Sequence, residues 1–212
     1  MEKLCATYNV SRETFDKLKI YQSMLNDWQQ KFNLVSKSTL EDAWNRHFLD
    51  SVQLIQYIPD TARVLYDFGS GAGFPGMVIA AVAAEKLPKL KVNLVESTSK
   101  KTVYLNAVKE KLGIDVAIHN DRIEKLPIEK ADVITSRALA SLSELLEYSY
   151  RFCHKGSVCI FPKGKKYSEE LAEAHKKWRF KCRVEPSMQS DEGRILIITD
   201  LSKKGGNKCQ GY

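Results

Sequence analysis

The chain has 212 residues, 43% hydrophobic and 28% charged, enough for one well-buried core but short for two full domains. No low-complexity tract or internal repeat interrupts it, and the longest uncharged stretch, Phe68 to Ala84, is glycine-rich and too short to span a bilayer. The net charge of +7 lies wholly in the last third: residues 1–150 carry 19 Lys and Arg against 19 Asp and Glu, and residues 151–212 carry 14 against 7.

A one-sided basic region favours a polyanionic partner, because neutralised phosphates release condensed counterions; on charge alone a solvated surface fits equally. The N-terminal residues lack the apolar run of a signal peptide, so a cytoplasmic protein without membrane contact is expected. Five scattered cysteines without a C-x-x-C pair indicate free thiols and no metal site.

In chain order, Phe15, Leu18, Tyr21, Leu25, Trp28 and Phe32 recur at steps of three and four, which predicts an amphipathic helix from Arg12 to Phe32. Ser38 to Glu41 has the form of a capping box opening further helix up to Pro59. Residues 1–60 therefore form a helical appendage. From Arg63 the texture changes to short β-branched runs alternating with helical segments, the pattern of a parallel sheet with crossover helices. RVLYDF, KVNLVES, DVAIHND, ADVITSRA and SVCIFPKG are its first five strands, with helices between them. KCRVEPS and RILIITDL follow, separated by MQSDEG, which leaves no room for a helix and predicts antiparallel pairing. The expected fold is α/β: a Rossmann-like, mostly parallel sheet with one antiparallel strand near the end, over residues 61–202. Residues 203–212 form a basic flexible tail.

Ligands of such sheets sit beyond the carboxyl ends of the strands. There YDFGSGAGFPG, Tyr66 to Gly76, fits two glycine-rich fingerprints. A dinucleotide register from Gly71 needs its first glycine directly after the strand, yet Gly69 and Ser70 interrupt the strand too soon. A register from Asp67 ends the strand at Phe68, puts Gly69 and Gly71 in the turn, and brings a carboxylate where a pyrophosphate would be repelled. That carboxylate suits the ammonium and sulfonium groups of S-adenosylmethionine. Glu96, at the end of the second strand, suits a ribose, as it would in a nicotinamide-dependent oxidoreductase too.

DFGSGAGFPG, VESTSKKTVYL, DRIEKL, TSRALA and FPKG, preceded by WNRHFLDS, together resemble the motif series of the bacterial ribosomal RNA small subunit methyltransferase G family, also called glucose-inhibited division protein B. The resemblance runs from about Trp28 to Gly164 and implies a class I methyltransferase that moves methyl from S-adenosylmethionine to N7 of a guanine in 16S ribosomal RNA. By position, the family's cofactor contacts fall on Gly69, Phe74, Ile123, Glu124 and Arg137, with Phe74 supplying apolar contact. The implied partner is 16S ribosomal RNA or the small ribosomal subunit; a monomer is expected, although nothing in the sequence fixes the oligomeric state.

The residues agree with that chemistry. Guanine N7 carries an in-plane lone pair and no proton, so transfer requires positioning rather than a dedicated catalytic base. The chain has Thr135-Ser136-Arg137-Ala138 where amine methyltransferases present an Asn/Asp-Pro-Pro-aromatic motif, and no cysteine beside a proline as C5-cytosine enzymes use. Arg137 can clamp the methionine carboxylate or donate to the guanine; the carboxylate is the favoured reading. Ile123 and Glu124 are placed to flank the adenine. Lys163, Lys165 and Lys166, at and after the end of the fifth strand, are candidates for RNA phosphates, a solvated loop being the alternative. His47 reads as structural. A non-catalytic RNA-binding assembly factor is the remaining alternative.

Overall fold

A computed structural model describes residue 8 and residues 10–205. Its first helix, α1 (Arg12–Gln29), starts where the extended Ser11 accepts the Thr14 N–H on its hydroxyl, and it buries the predicted stripe of Phe15, Leu18, Tyr21 and Leu25. That stripe packs on two helices of the sheet's outer layer, α4 (Gly76–Lys86) and α5 (Ser99–Leu112). Burial of large side chains contributes about 1.5–3 kcal/mol each, which fastens the appendage to the sheet domain within one core.

The second half of the appendage departs from the expected regular helix. Ser38 does not cap it. Ser36 holds the extended N-cap position, and its hydroxyl bonds to the Ser38 and Thr39 hydroxyls instead of to a backbone N–H. The helical path then changes pitch, through α2 (Lys37–Leu40), a π-helical turn (Trp44–Leu49), α3 (Asp50–Val52) and a 3₁₀ turn (Gln53–Tyr57).

The sheet has seven strands in the order β3-β2-β1-β4-β5-β7-β6. They are β1 (Val64–Phe68), β2 (Lys91–Val95), β3 (Ala117–His119), β4 (Ala131–Ser136), β5 (Cys153–Lys163), β6 (Trp178–Ser187) and β7 (Ser190–Lys203). The pairings β1–β2, β1–β4, β2–β3 and β4–β5 are parallel, and β7 alone runs antiparallel, to β5 and to β6. Successive strands are added to one side of β1 up to β3 and to its other side from β4 on, which makes the carboxyl ends of β1 and β4 the topological switch point where ligands of open α/β sheets bind.

Crossover helices follow their sequence signals. Gly113, at φ 60°, takes the left-handed position that ends α5, and Ser141 with Glu144 forms a capping box at the start of α6 (Leu142–Phe152). The last helix, α7 (Tyr167–Lys177), hands over to Trp178, which opens β6 buried. MQSDEG supplies a tighter turn than expected, with only Met188 and Gln189 between strands. Lys203 of the predicted tail ends β7 and Lys204 hydrogen-bonds back to Lys177, whereas residues 206–212 lie outside the described residues. Among the described residues no helix is long and apolar enough to cross a membrane.

Candidate active site

A cavity of about 820 Å³ opens at the switch point, floored by the glycine turn after β1. Chain reversal at Gly69 uses φ 66°, and a Cβ there would lie 2.6 Å from Leu139 Cδ1 across the cavity wall, so this residue has both the conformation and the clearance of glycine. Gly73, at φ 92°, leaves room for the Tyr21 hydroxyl of α1, which donates to the neighbouring Ala72 carbonyl. The turn is tied to the next strand by Ser70 N–H to Val95 O at 3.0 Å and by Gly71 N–H to Glu96 Oε2 at 2.9 Å.

Asp67 is not where the sequence reading put it. Strand alternation turns its carboxylate away from the cavity and into the helix layer, with no exposed surface. Oδ1 accepts from Thr135 Oγ1 at 2.7 Å and Oδ2 from Gly76 N–H at 3.1 Å. Burial pushes its pKa up to about 6, against the pull of these hydrogen bonds. The residue braces the glycine turn and does not line the cavity. Its position nonetheless decides between the two fingerprints, because the N-terminus of α4, where a dinucleotide's pyrophosphate would sit, already holds this carboxylate.

Glu96 lies on the cavity wall, with Oε2 on Gly71 N–H and Oε1 on Thr98 N–H at 2.7 Å. An ionised carboxylate has further acceptor sites beyond these two. Ile123 lines the cavity from a 3₁₀ turn (Ile123–Lys125), nearly buried. Glu124 follows it on the wall with its side chain exposed and its carbonyl taken by Arg151. Phe74 reaches the cavity from an aromatic cluster, stacked on Tyr21 at 5.5 Å and on His47 at 4.9 Å.

Arg137, just past β4, is held by the appendage. Nη1 donates to the Arg46 carbonyl at 2.8 Å and to Asp50 Oδ2 at 3.4 Å, and Nη2 donates to His47 Nδ1 at 2.7 Å. A guanidinium only donates, so Nδ1 of His47 is the acceptor and the ring carries its hydrogen on Nε2, which is buried without a partner among the described residues. Burial first, and the Arg137 charge second, lower the His47 pKa to about 4. The imidazole is thus neutral at physiological pH, and the guanidinium lies 5.3 Å above the Phe74 ring.

The lysine cluster separates into two kinds. Lys163 turns inward, 2.7 Å from Glu170 Oε2 and 3.0 Å from the Ala140 carbonyl, with a tenth of its side chain exposed. Its charge is spent inside the protein. Lys165 and Lys166 stand exposed in the following loop.

Sequence reasoning missed the appendage's share of the wall: Leu34, Val35, Ser36, Thr39, Arg46 and His47 all line the cavity. WNRHFLDS carried the signal, yet the role of its histidine needed the strand-four arginine beside it. The segment after Arg137 was also silent. Ala138 has φ 53°, uncommon for a residue with a side chain, and Leu139 faces the opening 40% exposed.

A family model described as rRNA small subunit methyltransferase G matches residues 14–196. The chain belongs to the rRNA small subunit methyltransferase G family. It is 40% identical over 200 residues to the ribosomal RNA small subunit methyltransferase G of Rhodospirillum centenum, covering 94% of this chain and 90% of that one. To the protein of the same name in Hyphomonas neptunium it is 42% identical over 199 residues, 94% of each chain. The fold is similar to the crystal structure of M. jannaschii TYW2 in complex with AdoMet, at a TM-score of 0.56 and 11% identity over 81% of this chain and 78% of that one. Because the family match begins inside α1, the methyltransferase G unit includes the helical appendage together with the sheet.

Proposed function

We propose that this chain transfers the methyl group of S-adenosylmethionine to N7 of a guanine in 16S ribosomal RNA, as the relatives' name and the motif series imply. The observation that carries the reading is the cavity at the switch point, where Gly69, Gly71, Glu96, Ile123 and Arg137 converge in a chain of this family. Its donor and acceptor set fits the cofactor. Spare acceptor sites of Glu96 suit the ribose hydroxyls, Ile123 an adenine face, and the unspent donors of Arg137 the methionine carboxylate.

S-adenosylmethionine supplies an electrophilic methyl on a sulfonium. The chain's own part is positional: Gly69 and Leu139 shape the wall, and Arg137 is fixed by Arg46, His47 and Asp50 before any ligand arrives. No residue needs to remove a proton, since guanine N7 has none, and the one neutral imidazole at the wall already has its lone pair engaged by Arg137. The exposed Lys165 and Lys166, with the basic last third, supply non-specific attraction for RNA phosphates.

Mass spectrometry of 16S ribosomal RNA digests from cells with and without the gene tests the reading. Loss of one N7-methylguanosine is the expected result; an unchanged digest refutes it.

A further inference from the structure

A second cavity, of about 670 Å³, lies beside the first. It is bounded by the end of β5 (Pro162, Lys163, Gly164), the β6–β7 turn with Ser190, and Asp50 of the appendage. The two cavities share Arg46 and the run Arg137, Ala138, Leu139, Ala140, so this short segment is a partition between them. The left-handed Ala138 is what folds the segment into a wall, a strained conformation of the kind that clusters at ligand sites.

We infer that this second cavity receives the target nucleotide of the RNA, its guanine against the Arg137–Ala140 partition and its phosphates at the rim; the inference rests on the methyl-transfer reading. Donor and acceptor atoms must meet about 3 Å apart for transfer, so the site of the acceptor must adjoin that of the cofactor, and the second cavity adjoins the first along this shared segment. Charge in the cavity suits a base within and phosphate without. Each deep cation stands against one carboxylate, Arg137 against Asp50 at 3.4 Å and Lys163 against Glu170 at 2.7 Å. That leaves a polar floor with no net charge, matched to a neutral heterocycle carrying both donors and acceptors. Leu139 and Pro162 add apolar surface for its faces. Arg46 and Arg194, by contrast, have no carboxylate partner among the described residues, and Arg194 spends Nη1 on the carbonyls of Asp191 and Gly193.

Gly164 and Ser190 line the second cavity and not the first, which separates the two sites experimentally. A Cβ at Gly164 would meet nothing within 4 Å, so a large side chain can be placed on this part of the cavity lining without displacing the fold. The test uses the full chain carrying Gly164→Phe or Ser190→Trp, with S-adenosylmethionine affinity measured by calorimetry and labelled-methyl transfer measured on under-methylated small subunits. Overpacking a bound base lowers kcat/KM for the subunits by roughly 10–100-fold in both variants, while the cofactor Kd stays within about twofold of the wild type. Unchanged kcat/KM in both variants overturns the inference, and so does a loss of cofactor affinity that accounts for the loss of transfer. A wild-type chain that binds S-adenosylmethionine but methylates no N7 refutes the proposed reaction instead.

Discussion

Protonation of His47 sets an acid limit on the fold, and the structure allows its size to be worked out. The imidazole accepts from Arg137 on Nδ1 and is stacked on Phe74, and burial with the neighbouring guanidinium lowers its pKa to about 4. An unfolded histidine titrates near about 6.5. Between these values the unfolded chain binds a proton that the native chain refuses, so stability falls as pH falls through that window. Asp67 has the opposite sign: its pKa, raised to about 6, lets the native chain bind a proton first, and it gains relative stability as pH falls. Wild-type stability therefore mixes the two. His47→Asn separates them, since Oδ1 keeps an acceptor near the Nδ1 position, nothing there titrates, and Asp67 is common to both chains. At about pH 7 the variant is less stable, because the ring's packing on Phe74 is lost. By about pH 4.5 that gap closes by roughly 2 kcal/mol as the wild type alone loses the histidine contribution. Urea unfolding at the two pH values measures it. A gap that stays constant refutes the neutral, arginine-bound histidine.

Two further outcomes test the site. Glu96→Gln turns one carboxylate oxygen, which accepts a backbone N–H in the free protein and has a spare acceptor site for the ribose, into an amide donor; the lost cofactor hydrogen bond is worth about 1–3 kcal/mol, so cofactor affinity by calorimetry falls roughly 10–100-fold; unaltered affinity would remove Glu96 from the site. The lysines divide by salt dependence. Replacing Lys165 and Lys166 together with alanine lowers the slope of log K for RNA against log salt by about 1.4–1.8, whereas Lys163→Met leaves the slope unchanged, because its ammonium is bound to Glu170 and not to phosphate. Equal slope changes in the two variants would show that Lys163 leaves its internal partner on binding RNA.

Strand order and crossover helices were legible because each local signal agreed with the global pattern: the stripe of α1, the left-handed Gly113 and the turn that leaves β7 antiparallel. The glycine turn was legible from the end of the strand at Phe68, whereas its acid, expected at the ligand, faces away from the cavity. Period-two alternation could have corrected this, since Leu65 packs in one core layer while Tyr66 and Phe68 pack in the other, and Asp67 must share the face of Leu65. The irregular second helix had no such remedy. S-T-L-E satisfies a capping-box pattern, but the winding of residues 44–49 is fixed by a tertiary partner 87 to 91 residues away, which no local window contains.

That partner also accounts for the π-helical turn. In an α-helix the Asp50 N–H would bond to the Arg46 carbonyl four residues back. Here it is directed to the Asn45, His47 and Phe48 carbonyls, and the Arg46 carbonyl accepts from Arg137 at 2.8 Å. The widened turn therefore exposes a backbone acceptor at the point where a buried guanidinium requires one, between an imidazole and a carboxylate of the same segment. An uncompensated arginine at this depth would be strongly destabilising, and one held only by carboxylates would present less of a positive face to an anionic ligand. A carbonyl, a neutral imidazole and one long contact to a carboxylate satisfy part of the donor fork without cancelling its charge. The appendage thus supplies what the sheet lacks at the end of β4, and regularising residues 44–49 as α-helix would remove the Arg137 contact while leaving in place the glycine turn that floors the first cavity.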